Sequence, residues 1–260
     1  PNQGYGPYQA INPYIIWWMV VLISGLSFAG YVAVRVFGER RGLFMTAALG
    51  ALVSSTAITI AFSREAKLRP ASAALLSSSI LLASTIMVLR VIVVALLISP
   101  SLYQYLPLAL LPMAVTGFLA VLMNTKGAKH LSAPEYKLEN PFDLPVALVF
   151  GLALGLVLLG SHYLEAEFGS KGLLSLAWVT GLMDVDAMTI SASQMVKQNL
   201  SLELATIAIL CAAVANSITK FILAALIARG AMPLRFFFGF LLMIGAGIAV
   251  FIALNFGLFS

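Results

Sequence analysis

Charged residues are scarce in this chain, and their scarcity excludes a large class of proteins. Asp, Glu, Lys and Arg together make up 10% of the 260 residues, whereas hydrophobic residues make up 61%. A soluble domain carries about a quarter charged residues. The composition therefore excludes a soluble globular protein and predicts an integral membrane protein, with membrane lipids as its surroundings.

Cysteine and histidine are almost absent as well. The single cysteine, Cys211, excludes an internal disulfide and a paired-cysteine metal motif. The two histidines, His130 and His162, lie in a linker and near the end of an apolar segment, so no metal site is expected. The sequence also lacks a nucleophile–base set, a phosphate-binding loop and a nucleotide fingerprint. We therefore expect neither an enzyme nor a bound cofactor.

The charges that are present favour one sign. The 15 Lys and Arg outnumber the 10 Asp and Glu, which gives a net charge of +5. In a soluble protein this excess would suggest nucleic acid as a partner. Here the basic residues lie in short loops beside apolar segments, a placement that reports membrane topology instead.

Long apolar segments fill most of the chain. Each has about the length of roughly 20 residues that crosses a hydrocarbon core. They lie at 14–35, 43–63, 72–98, 103–123, 144–163, 173–193, 203–228 and 235–256. A polar lead-in covers 1–13, with neither a methionine at its start nor a signal-peptide pattern, and we expect it to continue from a longer protein. The one long polar stretch, 124–140, is predicted to be a cytoplasmic linker between two halves.

The two halves are related by an internal repeat. When the sequence is shifted by 130 positions, residues 42–64 lie over 172–194 without a gap, and eight of the 23 pairs are identical. The same shift superimposes Arg90 on Lys220. We therefore predict a first membrane repeat at 14–123 and a second at 141–260.

The loop charges decide between two topologies. If all eight segments cross, seven loop Lys and Arg lie on one side of the membrane and six on the other. If 43–63 and 173–193 instead enter and return on the same side, eleven of these thirteen lie on one face. Basic loops favour the cytoplasm. We therefore predict an all-α polytopic membrane protein, an inverted repeat with three transmembrane helices and one re-entrant hairpin in each copy. The alternative is eight spanning helices in two parallel four-helix repeats.

The hairpins direct attention to two polar tripeptides at their centres. Ser54, Ser55 and Thr56 interrupt the first hairpin, and the sequence Asp184-Val185-Asp186 interrupts the second. Non-helical backbone at membrane depth is tolerated only inside protein or along a wet cavity. Inverted repeats place such tips near the midplane, where transporters bind their substrates. The sequence therefore predicts a site between the two tips.

Charged side chains in apolar surroundings define the rest of the candidate site. An ionised side chain at the bilayer centre costs roughly 2.5–3.5 kcal/mol, so Asp184, Asp186, Arg90 and Lys220 need partners or a function. Asp184 and Asp186 would bind a cation or proton, and Arg90 and Lys220 would act as charge partners or anion ligands. The remaining candidate ligands are Ser54, Ser55, Thr56, Thr59, Thr189 and Asn216. A purely structural reading stays open, in which two Arg/Lys–Asp pairs tie the repeats together.

Three stretches carry a resemblance to a known family. They are NQGYGPYQAINPYIIWWMVVLISGLSFAGY, LGALVSSTAITIAFSR and GLMDVDAMTIS. Through them the chain resembles, over essentially its whole length, a bacterial and archaeal membrane domain of unknown function. In that family the domain usually follows an MgtC/SapB-type domain, so the resemblance implies an MgtC-like domain earlier in a longer chain. The family adds no catalytic residues.

These observations predict a secondary transporter of a small ion or polar solute, coupled to protons or another cation, in the plasma membrane of a prokaryote. One alternative is an ion channel that uses the same centre. Another is a non-transporting membrane module that supports the MgtC-like domain. The sequence leaves the substrate, the coupling ion and the existence of a homo-oligomer open.

Overall fold

A computed structural model describes residues 2–6, 11–33, 43–125 and 144–255 of the chain. Most of the predicted linker at 124–140 and part of the lead-in at 1–13 lie outside these residues. Within the described ranges the protein is all-helical, and its only β-type pairing is an isolated bridge between Tyr5 and Ile11. The predicted helical class is therefore confirmed.

Eight α-helices follow one another in the described ranges. They are α1 (Pro13–Ala33), α2 (Leu43–Leu68), α3 (Ala73–Ile98), α4 (Leu106–Thr125), α5 (Leu144–Met183), α6 (Asp186–Val196), α7 (Leu202–Ala228) and α8 (Leu234–Asn255). Two short 3-10 turns, Pro70–Ser72 and Pro100–Gln104, lead into α3 and α4. Proline at such positions ends one helix and starts the next because its ring fixes φ and removes a donor.

Helix α2 is broken near its middle. Ser54 has extended backbone (φ −160, ψ 106), and its Oγ accepts a hydrogen bond from the backbone N–H of Ala57 at 3.2 Å. A Cβ placed on Gly50 would lie 2.6 Å from Cδ1 of Ile58. In a continuous helix, residues eight apart are separated by about 12 Å along the axis. The arm 55–68 therefore folds back against the arm 43–53.

Helix α5 also folds back on itself, at Gly169. The backbone there has φ 59 and ψ −147, a conformation that residues other than glycine rarely adopt. A Cβ on Gly172 would collide with the carbonyl of Leu164, which shows how closely the arm 170–183 returns along the arm 144–168. The sequence-based segment ended at 163, but the helix continues to 168, because Leu164, Glu165, Ala166 and Glu167 favour a helix even where hydropathy falls.

A second break separates the arm 170–183 from α6, at Asp184 and Val185. This break and the one at Ser54 lie within the two predicted tripeptides, at positions related by the 130-residue shift. The arms on either side span 11 to 14 residues. At about 1.5 Å per residue, such arms are too short to cross a hydrocarbon core of about 30 Å.

Among the described residues, five helical segments are long and apolar enough to cross a membrane, so the chain is a membrane protein. They are Leu43–Leu68, Pro70–Ile98, Leu106–Asn124, Leu202–Ala228 and Leu234–Leu254. The first of them qualifies by length and composition but contains the Ser54 break. In the most apolar stretches of the segments that contain α3 and α7, 67% and 72% of the residues are buried, against 28% in that of α8. Helices α3 and α7 therefore form the centre of the bundle.

Helix pairing around this centre places both broken regions beside α3 and α7. Helix α2 packs against α3 and α7, and the region formed by 170–183 and α6 packs against the same two helices. Helix α4 packs on α8, and α1 packs on α5. Gly181 permits a close approach to α7, because a Cβ there would lie 2.5 Å from the carbonyl oxygen of Ala212. Small residues thus bring the helix breaks against the central helices.

Candidate functional site

The candidate site combines the two helix breaks with the middle of α3 and α7. Arg90 lies on α3 and Lys220 on α7, each well away from the helix ends. The exposed fraction is 8% for Arg90, 5% for Asp186 and 0% for Lys220. Buried charge of this density requires partners, because an isolated ion in an apolar interior is strongly unfavourable.

Arg90 connects both breaks to α3. Its Nη2 forms a salt bridge with Oδ2 of Asp186, and its Nη1 donates a hydrogen bond to the carbonyl of Leu52 at 2.8 Å. That carbonyl stands at the end of the arm 43–53, where a helix leaves acceptors without partners inside the helix. The guanidinium suits this position because its rigid fork can serve two acceptors at once. Leu52 was not a predicted site residue, since its contribution is a backbone group.

Lys220 contacts the first break, the one at Ser54. Its Nζ donates a hydrogen bond to Oγ of Ser55 at 2.7 Å. Within the described residues the ammonium forms no salt bridge, and the one salt bridge of the centre joins Arg90 to Asp186. Two of the three ammonium donors are therefore left without a described partner.

The end of the arm 170–183 is held by α7. Asn216 donates from Nδ2 to the carbonyl of Gly181 at 3.1 Å, and Thr219 donates from Oγ1 to the carbonyl of Leu182 at 3.0 Å. Asn216 was a predicted ligand, and the structure uses its amide to cap a broken helix. The contribution of Thr219 was missed. A hydroxyl one residue before Lys220 is a common feature of packed helices and gave no distinguishing signal.

Asp184 and Ser54 play the same local role at their two breaks. The backbone N–H groups of Asp186 and Ala187 face the Asp184 carboxylate. At the other break the Ser54 hydroxyl accepts a hydrogen bond from the N–H of Ala57. Each side chain therefore lies at the start of the following arm, the position of a helix cap. Asp184 is partly exposed, and within the described residues it forms no salt bridge.

The predicted threonines differ in their surroundings. Thr59 and Thr189 are fully buried and donate to carbonyls of their own helices, those of Ser55 at 2.9 Å and Val185 at 2.8 Å. Their hydroxyls are thus engaged in helix packing. Thr56 lies at the first break, is partly exposed and corresponds to Asp186 under the 130-residue shift.

The charges of the centre are balanced in number but not in pairing. Two acids face two bases, yet only Arg90 and Asp186 form a salt bridge among the described residues. The structural reading requires a second pair, which Lys220 does not form there. In addition, Oδ1 of Asp186 and Nε of Arg90 are buried without a hydrogen-bond partner in the described part of the chain. This is the arrangement of a polar centre with unused hydrogen-bonding capacity.

Comparisons with known proteins cover all of these residues. A family model described as "Domain of unknown function (DUF4010)" matches residues 21–228, a range that includes both breaks, Arg90 and Lys220. An uncharacterized protein of Aquifex aeolicus (strain VF5) is 32% identical over 181 residues, which are 68% of this chain and 79% of that protein. No solved structure matches the chain. The chain therefore belongs to the family described as Domain of unknown function (DUF4010).

Proposed function

We propose that this protein is a secondary transporter that moves a small ion or polar solute through a site between two hairpin tips. The observation that carries the proposal is the buried polar centre itself, where Arg90, Lys220 and Asp186 meet two helix breaks. Such groups are expensive at membrane depth and are typical of substrate and ion pathways. Discontinuous helices whose ends point at a central site are a recurring device of transporters.

The proposed architecture is the inverted repeat of three spanning helices and one re-entrant hairpin. Equivalent breaks at positions 54 and 184 support it, as do the arms of 11 to 14 residues. Reciprocal packing supports it further, since the first hairpin contacts α7 and the second contacts α3. The odd number of crossings in each copy would place the basic loops in the cytoplasm of a prokaryotic cell.

In the proposed mechanism the two copies move relative to each other around the centre. Asp184 would take up the coupling proton or cation, because it is partly exposed and has no basic partner in a salt bridge among the described residues. The Arg90–Asp186 pair joins α3 to the second hairpin, and its breaking and re-forming would distinguish two states. Ser54, Ser55 and Thr56 would contact the solute at the first hairpin.

The test is flux into proteoliposomes under an imposed pH or sodium gradient. Wild type is compared with Asp184→Asn and Asp186→Asn across a panel of ions and polar solutes. Glu167→Gln is the matched control, since it removes an exposed carboxylate away from the centre. We expect gradient-dependent flux in wild type and in the control, and its loss in the two Asn variants.

A second function, a non-transporting module that supports an MgtC-like domain, is favoured by the Arg90–Asp186 pair and by the side-chain caps on the broken helices. Those contacts stabilise the fold without any solute. Absence of flux for every solute in the panel, together with Asn variants that unfold in detergent, would favour this function and contradict transport. Flux that rises linearly with solute concentration would favour a channel.

A further inference from the structure

We infer that the transported solute carries an anionic group and that this group binds to the Lys220 ammonium beside Ser55, an inference that rests on the proposed transport function. It adds a chemical class to the solute. The ammonium of Lys220 is fully buried, and among the described residues it forms one hydrogen bond, with Ser55 Oγ at 2.7 Å, and no salt bridge. Asp184 and Asp186 act on it only at longer range. A buried ammonium has three donors and a full charge, and a hydroxyl neutralises none of that charge.

The helix end beside Lys220 favours the same sign of ligand. Ser55 opens the arm 55–68, so the backbone N–H groups of that first turn point toward the break. Ser54 accepts from one of them, that of Ala57. The N-terminal end of a helix carries partial positive charge and binds anions through such groups. The Lys220 ammonium and the N-terminal end of the arm 55–68 would therefore both attract an anion to the same place beside Ser55.

The two copies of the repeat provide an internal comparison. Arg90 and Lys220 are equivalent under the 130-residue shift, and so are Thr56 and Asp186. In the second hairpin, Asp186 supplies the carboxylate that pairs with Arg90. In the first hairpin the equivalent residue is Thr56, so Lys220 lacks the corresponding carboxylate. The anionic group of the solute would occupy this position.

Charge balance then accounts for coupling. Arg90 and Lys220 balance Asp184 and Asp186 before the solute enters, so a bound monovalent anion leaves one negative charge in excess. A proton or cation on Asp184 restores neutrality, which matters because net charge is unfavourable in a poorly solvated interior. Anion and cation would therefore enter together.

The experiment measures binding and flux separately. Binding is read from the thermal unfolding midpoint of the detergent-solubilised protein in sodium formate, acetate, nitrate, chloride or phosphate. Flux of the same anions, and of methylammonium and glycerol as cationic and neutral solutes, is measured in proteoliposomes. Thr56→Asp installs a carboxylate next in sequence to Ser55, at the position that the 130-residue shift equates with Asp186. Thr56→Asn is its uncharged match. Lys220→Gln removes the charge, and Lys220→Arg keeps it.

We expect at least one anion to stabilise wild type. It should stabilise Thr56→Asn less than wild type, because a hydroxyl that contacts the solute is replaced, but more than Thr56→Asp. Its affinity should fall about tenfold or more in Thr56→Asp and Lys220→Gln, because a charge-assisted contact is lost or already occupied. Lys220→Arg should retain part of it. If Lys220→Gln does not fold, Thr56→Asp still decides the question.

Two binding results would overturn the inference. One is the absence of stabilisation by any anion in wild type, and the other is equal anion binding in Thr56→Asp and Thr56→Asn. Transport of methylammonium or glycerol that does not change in Lys220→Gln would overturn the anion site while leaving the transport proposal intact. Conversely, anion binding that depends on Lys220, without flux of any solute, would support the anion site and contradict transport.

Discussion

Arg90 is the residue on which the centre of the molecule depends most. It bridges three elements, since it lies on α3, donates to the carbonyl of Leu52 on α2 and pairs with Asp186 at the start of α6. A lysine could not serve both acceptors with a planar fork. Removing the guanidinium would leave a buried carboxylate and a helix-end carbonyl without their partner.

We therefore expect Arg90→Met to lower the free energy of unfolding by about 3–5 kcal/mol, because an uncompensated buried charge remains at Asp186. Replacing both partners, in Arg90→Met with Asp186→Leu, should restore most of that loss. Thermal and denaturant unfolding in detergent would measure both variants. A change within about 0.5 kcal/mol in Arg90→Met would mean that the pair does not stabilise the fold.

The sequence predicted which residues gather at the centre but not how they pair. Their charge in an apolar setting and the repeat identified Arg90, Lys220 and the two aspartates. That Arg90 pairs with Asp186 while Lys220 contacts Ser55 depends on tertiary distances of a few ångströms, which no spacing along the chain encodes. For the same reason the carbonyl of Leu52 and the hydroxyl of Thr219 were not foreseen.

At the scale of elements, the broken helices are held by contacts at their ends. The arm 170–183 approaches α7 so closely that Gly181 has no room for a side chain, and Asn216 caps the Gly181 carbonyl. In the sequence, Gly181 stands shortly before the polar tripeptide that begins at Asp184. The predicted segments at 144–163 and 173–193 placed a connection between them, but nothing in the sequence identified Gly169 as the point of reversal, because a glycine between charged residues is equally compatible with an ordinary loop.

We expect Gly181→Ala to destabilise the protein by about 1–3 kcal/mol, since the added Cβ would lie 2.5 Å from the carbonyl oxygen of Ala212 and force the arm away from α7. Gly245→Ala is the matched control, because nothing lies within 4 Å of a Cβ at that helical glycine. The control should be neutral or stabilising by up to about 1 kcal/mol. Equal unfolding midpoints for the two variants would contradict the close packing of this arm.

At the scale of the whole molecule, two topologies are compared, the proposed inverted repeat and the alternative of eight spanning helices. They differ in which loops lie on the same side of the membrane. Single cysteines at Leu68, Gln198 and Leu234, all exposed, distinguish the two once the buried Cys211 is replaced by Ala. The inverted repeat places positions 68 and 234 on the cytoplasmic side and 198 outside. Labelling of intact cells with a membrane-impermeant thiol reagent should therefore modify position 198 alone.

Eight crossings would give a different labelling pattern, with 68 and 198 on one side and 234 on the other. These three substitutions leave every charged residue in place, so they do not alter the charge bias that orients the chain. Shared labelling of positions 68 and 198 would contradict the inverted repeat, and with it the placement of both hairpin tips at one midplane site.

The most direct test of the central claim is exchange across the proteoliposome membrane. Vesicles containing wild-type protein are preloaded with the unlabelled solute that the flux panel identifies, and uptake of the labelled solute is followed. Alternating access predicts saturable uptake that is accelerated by the preloaded solute and is lost in Asp184→Asn. Uptake that never saturates, or no uptake of any solute by folded wild-type protein, would contradict the transporter.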